Sequence, residues 1–145
     1  MDYQKLLLAC DDHSNWEFPP NHDWNIKEKR FLKLASDLEL VLGRKLIAET
    51  GSLIQDASFH SQIHIELSDH DSTFIRFSNF GNLVTAYAVS DEESVPGDLL
   101  TKITQLLHDH SYLYVPYEVL NQPYPVQAGI KIGIRDWFYR YFDYL

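Results

Sequence analysis

Apolar positions recur along this chain at two different periods, and the switches between them mark out its elements. Near the start, Leu6, Leu7, Leu8 and Ala9 form a short apolar run closed by Asp11 and Asp12, which predicts a short helix facing a core. The turn-rich stretch Glu17-Phe18-Pro19-Pro20-Asn21-His22 follows, and then Asn25-x-x-Glu28 has the spacing of a capping box, so a helix is expected to start there. Phe31, Leu34, Ala35, Leu38, Val41 and Leu42 return at three- and four-residue steps, with Lys27, Lys33, Asp37 and Glu39 elsewhere on the surface. Gly43 is placed to end that helix as its C′ residue.

From Leu46 to Val89 the period becomes two. Phe59, Ser61, Ile63, Ile65 and Leu67 are expected on one face of a strand, with His60, Gln62, His64 and Glu66 on its wet face. Phe74 to Ser78 and Leu83 to Val89 read as two more strands, joined by the hairpin connection Asn79-Phe80-Gly81-Asn82. Leu46 to Ala57, broken at Thr50-Gly51-Ser52, supplies one or two strands before them. Pro96 opens a second amphipathic helix through Leu99, Leu100, Ile103, Leu106 and Leu107, ending near His110-Ser111. Tyr112-Leu113-Tyr114-Val115-Pro116 reads as a short edge segment, because proline is poorly tolerated inside a sheet. Trp137 to Leu145 reads as a last helical turn or two, with Trp137, Tyr141 and Leu145 on one buried stripe and Phe138 and Phe142 beside it.

Helices grouped around a run of consecutive strands predict an α+β fold: an antiparallel sheet of about four to five strands with helices packed on one side. No repeat, linker or low-complexity stretch divides the chain, so residues 1–145 are expected to form a single domain. At 145 residues, with 45% hydrophobic and 23% charged, the chain can hold itself together by core packing alone. Leu6 to Cys10 is too short for a secretion signal and lacks the basic segment of a lipoprotein leader, while a lone cysteine excludes an internal disulfide. A cytoplasmic setting is the expectation, without a membrane span.

Charge narrows the partners. The formal net charge is −9, and Lys27, Lys29, Arg30, Lys33, Arg44 and Lys45 crowd half of the 12 basic residues into one short span. A nucleic-acid binder gains affinity by neutralising phosphates with a basic face, so this balance points away from DNA and RNA and toward another protein, of basic surface. His60 and His64 make an H-x-x-x-H, but at strand spacing they lie about 13 Å apart and cannot share an ion, so no metal is assigned to them. Cys10 beside His13 reads as a small apolar residue rather than an activated thiol, and His108 and His110 suit the last turn of a helix. The common hydrolase, dinucleotide and phosphoryl-transfer signatures are absent, and neither a catalytic residue nor a cofactor is assigned.

Two features carry the binding expectation. Seven of the nine tyrosines lie from Tyr112 onward, and Tyr139 and Tyr144 fall off the buried stripe of the tail, which makes them the interface candidates there. An antiparallel meander would also return the strand ending at Val89 to the end of the sheet that carries Asp69 and Asp71. That would gather Asp69, Asp71, Asp91, Glu92 and Glu93 on one rim, as a patch that steers a basic protein or, as the alternative occupant, a hard cation such as calcium.

Several stretches also carry a resemblance: Ile54-Gln55-Asp56-Ala57-Ser58-Phe59, Arg76-Phe77-Ser78-Asn79-Phe80-Gly81-Asn82, Tyr112-Leu113-Tyr114-Val115-Pro116 and Trp137-Phe138-Tyr139-Arg140-Tyr141-Phe142-Asp143-Tyr144-Leu145. Together they resemble small uncharacterised bacterial proteins grouped with the immunity proteins of polymorphic toxin systems. The resemblance implies a cytoplasmic antidote that binds and blocks a cognate toxin, and it assigns no binding residues. The polar motif residues Asp56, Arg76, Asn79, Arg140 and Asp143 either mark a site or cap turns and tie the tail to the sheet, and the second reading is preferred. The expectation is therefore a protein-binding module; the alternative is an enzyme acting on a small molecule, which requires a deep pocket where carboxylates or histidines converge. The oligomeric state stays open.

Overall fold

A computed structural model describes residues 1–51, 58–89, 94–125 and 134–143. Helix α1 (Tyr3–Cys10) is capped by the Asp2 carboxylate and buries Leu7. Helix α2 (Trp24–Leu42) begins earlier than the Asn25 capping box predicts. Its cap is Asp23, whose Oδ1 accepts from the Asn25 and Ile26 amides at 3.0 and 3.2 Å. A carboxylate in that place both satisfies orphan N–H groups and complements the positive end of the helix dipole, so Asn25 lies inside the first turn. Gly43 closes α2 in the left-handed region at φ 65°, its N–H on the Glu39 carbonyl.

Strands β1 (Ile47–Thr50), β2 (Phe59–Glu66), β3 (Ser72–Ser78) and β4 (Leu83–Val89) pair antiparallel in sequence order. The β3–β4 turn needs Gly81 and Asn82 at φ 59° and 56°, the conformation that right-twisted hairpins favour. Helix α3 (Gly97–Asp109) then crosses over, which is what allows β5 (Leu113–Tyr114) to join β4 in parallel at the sheet edge. Helix α4 (Tyr117–Leu120) follows, and the tail ends the described chain in a π-helical turn, Tyr139–Asp143. The fold is α+β, as expected.

Register sorts the side chains. Ser61, Phe77 and Val84 align across the sheet, as do Ile63, Ile75 and Ala86. This face packs against Phe31, Leu34, Ala35 and Leu38 of α2 and Ile103 and Leu107 of α3, forming the main core. A second core lies around Leu7, Phe80, Leu83, Val115, Leu120, Trp137, Tyr141 and Phe142, where α1, α4 and the tail meet. Trp137 and Tyr141 are fully buried there, as the stripe predicts, while Leu145 lies outside the described residues.

One expectation about β2 is corrected. A bulge between Phe59 and Ser61 shifts the register, so Phe59 leaves the Ile63 face and lies under the Arg76 guanidinium at 4.3 Å. His60 turns instead toward the helices: it is buried, 6.1 Å from the Phe77 ring. His60 and His64 therefore lie on opposite faces of the sheet.

The tail is fastened by its arginine. Arg140 is 0% exposed, with Nε on Asp11 Oδ1 at 2.9 Å and its terminal nitrogens on the Trp16, Asp12 and Asn15 carbonyls at 3.0, 3.0 and 3.1 Å. The Asp11 side chain, 4% exposed, accepts the Tyr124 hydroxyl as well. Residues 11–16 are thus pinned to the tail by one saturated guanidinium.

Candidate functional site

The sheet face turned away from α2 and α3 is built from the alternate positions of the same strands. Ile47, His64, Phe74 and Tyr87 align straight across β1 to β4, and Glu49, Gln62, Arg76 and Thr85 form the next row. Glu66, Ser72 and Val89 form the row on the other side, at the end that carries the β2–β3 turn.

The first row is a stack of rings. His64 and Phe74 have centroids 4.5 Å apart and planes 8° from parallel; Phe74 and Tyr87 follow at 5.7 Å and 17°. Tyr117 of α4 continues it against Tyr87 at 5.2 Å and 24°. Phe138 from the tail closes the stack edge-on, at 81° to Tyr87 and 88° to Tyr117. All four stacked rings are half-buried. Since each ring covers its neighbour's face, the row turns ring edges rather than ring faces outward. Burial raises the Tyr87 phenol above its usual range, so that hydroxyl keeps its proton at neutral pH.

Beside the stack runs a polar chain. Gln62 donates to Glu49 at 2.9 Å and accepts from Arg76 Nε at 3.0 Å, and Arg76 reaches the Phe142 carbonyl and the Asp143 carboxylate at 2.9 and 3.0 Å. The Arg76 charge is thereby neutralised and the tail tied to the sheet. His64 is fixed in the stack by the Ser72 hydroxyl at 2.9 Å. Exposed Ile47 and Val89, 46% and 50% accessible, flank the row.

Of the residues singled out from sequence, Asp69 and Asp71 lie at the turn on the Val89 end, since Ser72 pairs with Val89. Asp71 stabilises that turn: its carbonyl accepts the Leu67 and Ser68 amides, and its carboxylate accepts the Ser68 hydroxyl. Asp69 is exposed and lines a polar depression of about 410 Å³ with Arg44, Glu66 and Ser72. Asp91, Glu92, Glu93 and Tyr144 lie outside the described residues, as does Asp56. Tyr139 is half-buried against the second core, with the Arg135 guanidinium 5.8 Å over its ring, away from the ring stack. His64, Phe74 and Tyr87 are the residues that sequence reasoning passed over. Their signal is the alternation within β3, where Phe74 and Arg76 fall opposite to Ile75 and Phe77.

Among the described residues, none of Glu49, Glu66, Asp69 and Asp71 has a cationic side chain in ion-pair contact. No group of three or more His, Cys, Asp or Glu among them is placed to hold a metal ion, and no helix among them is long and apolar enough to cross a membrane. Neither a protein-family model, nor a curated protein, nor a solved structure matches the chain.

Proposed function

We propose that this chain is a protein-binding module that docks a basic partner on the sheet face bearing the His64–Phe74–Tyr87–Tyr117 stack. The observation that supports it is the orientation of those rings. A surface that reads nucleic acid by stacking offers exposed ring faces to bases, whereas here the faces are covered and the edges point out. Ring edges suit a shape-complementary protein contact. The rim carries Glu49, Glu66, Asp69 and Asp71 without cationic partners among the described residues, and a net charge of −9 steers a basic surface toward it. The finer reading rests on the resemblance to immunity proteins: the partner is a toxin domain, blocked in the cytoplasm by this contact.

The test is co-purification of tagged protein from its native host, followed by binding kinetics. A partner of net positive charge in stoichiometric complex is expected. Ile47→Lys and Val89→Lys, which place a like charge beside the stack at exposed positions, should weaken it about tenfold or more. Leu40→Lys, on the far side of α2 at 79% exposure, should leave it unchanged. A complex indifferent to both face variants refutes the assigned surface, and recovery of the chain alone under several growth conditions refutes the module.

A further inference from the structure

Where the connector before α2 crosses the bulged start of β2, a half-buried imidazole, His22, and a buried one, His60, pack among rings and cations. The connector is held there by the Asn79 amide, which donates to the Glu17 carbonyl at 2.8 Å, and by its own turn from the His22 amide to the Pro19 carbonyl at 3.1 Å. His22 packs edge-on to Trp24 at 4.2 Å, against Phe18 at 5.7 Å and 6.3 Å from the His60 ring. Both ring nitrogens of His22 are buried with no hydrogen-bond partner among the described residues. His60 is buried on the bulge, one nitrogen on the Ser61 hydroxyl at 2.8 Å, beside Phe77 of β3.

The charged groups that act on this pair are almost all of one sign. Among the described residues, Lys27 acts on both imidazoles and Arg30 and His22 on His60, while the Asp23 cap alone favours a proton on His22. A proton on either ring would add charge to a site that already holds cations, and on His22 neither nitrogen has an acceptor in place among the described residues. A closed metal site is disfavoured by the same two cations.

We propose that His22 and His60 form an acid-operated latch, in which protonation of either imidazole detaches the Phe18–Trp24 connector from the bulged end of β2. Burial first, and Lys27 next, push His22 down to about 4 and His60 to about 3 while the connector is closed. Released side chains return to the ordinary value near 6.5. The open form therefore takes up protons that the closed form refuses, so closure is complete above pH about 6.5 and weakens as pH falls toward 4. Each unit of depression is a factor of ten in proton affinity, and His22 is only half-enclosed, so opening about tenfold or more is expected at pH 4.5.

Hydrogen exchange of the full chain, corrected for the intrinsic pH dependence, tests this. The His22 amide, which donates to the Pro19 carbonyl within the connector, should lose protection about tenfold or more between pH 7 and pH 4.5, while the amides of β3 and β4 hold theirs. His22→Phe keeps a ring against Trp24 and removes the titrating nitrogens, so it should suppress most of that loss; His22→Phe/His60→Phe should remove it. Connector protection that is flat with pH in the wild type, or that falls equally in the variants, overturns the latch.

Discussion

Replacing Arg140 with methionine isolates what the buried guanidinium contributes. The substitution keeps much of the aliphatic volume and removes the partner of an Asp11 carboxylate that is 4% exposed, together with donors to three backbone carbonyls. Breaking a buried pair from one side costs about 3–5 kcal/mol, because the remaining charge is left uncompensated. Each orphaned carbonyl adds about 1 kcal/mol where water cannot reach it. Against a total stability of about 5–15 kcal/mol, the variant should lose a large part of its margin. In urea its midpoint should fall by about 2 M or more, given a slope of about 1–3 kcal/mol/M. Arg140→Lys keeps the charge but lacks the fork that serves Asp11 and the carbonyls together, so it should fall between. Asp11→Asn/Arg140→Met should be less destabilised than the sum of the single variants by at least about 2 kcal/mol. An Arg140→Met protein within about 1 kcal/mol of wild type would refute the view that this one side chain fastens residues 11–16 to the tail.

Gly81→Ala should destabilise by about 2 kcal/mol or more, since the residue sits at φ 59° and its Cβ would come 2.5 Å from Cys10 Sγ; adding Cys10→Ala should relieve the clash but not the backbone strain, in thermal melts of the two variants beside wild type. Deleting residues 137–145 removes the fully buried Trp137, Arg140, Tyr141 and Phe142, and with about 3–5 kcal/mol per buried aromatic it should abolish the cooperative transition by circular dichroism. A truncated protein with an unchanged melting temperature would make the tail a detachable segment.

What could be read ahead of the structure follows the range of the forces involved. Periodicity is local, so the apolar stripe of α2, the hairpin at Gly81-Asn82 and the buried face of the tail were legible from residue spacing. The cap was misread by two residues because Asp23 and Asn25 are both competent caps, and only the geometry of the incoming chain selects between them. The bulge at Phe59 has no local signature, yet it exchanges the faces of Phe59 and His60 and so decides which imidazole is buried. The ring stack depends on register: His64, Phe74 and Tyr87 become neighbours only once three strands are aligned. Arg140 lies more than a hundred residues from the carbonyls that saturate it, a pairing that spacing cannot reveal.

The placement of the cations bears on how the proposed docking face would be used. Arg30 is held by Asn82 and the His110 carbonyl, Arg76 by Gln62, Phe142 and Asp143, and Arg140 by Asp11 and the residue 11–16 loop. Each of these guanidiniums also lies over an aromatic ring, at 4.6 Å from Tyr112, 4.3 Å from Phe59 and 4.5 Å from Trp16, so these three cations are engaged by the fold's own rings. The rings of the stack cover one another's faces, and Arg76 itself lies 5.8 Å from the Tyr87 ring, so the faces between successive rings are closed to a partner's lysine or arginine. A basic partner on this surface must therefore place its charges on the rim, near Glu49, Glu66, Asp69 and Asp71, and its apolar surface against the ring edges between Ile47 and Val89. Affinity would then divide into a salt-sensitive association rate set by the rim and a salt-insensitive dissociation rate set by the stack.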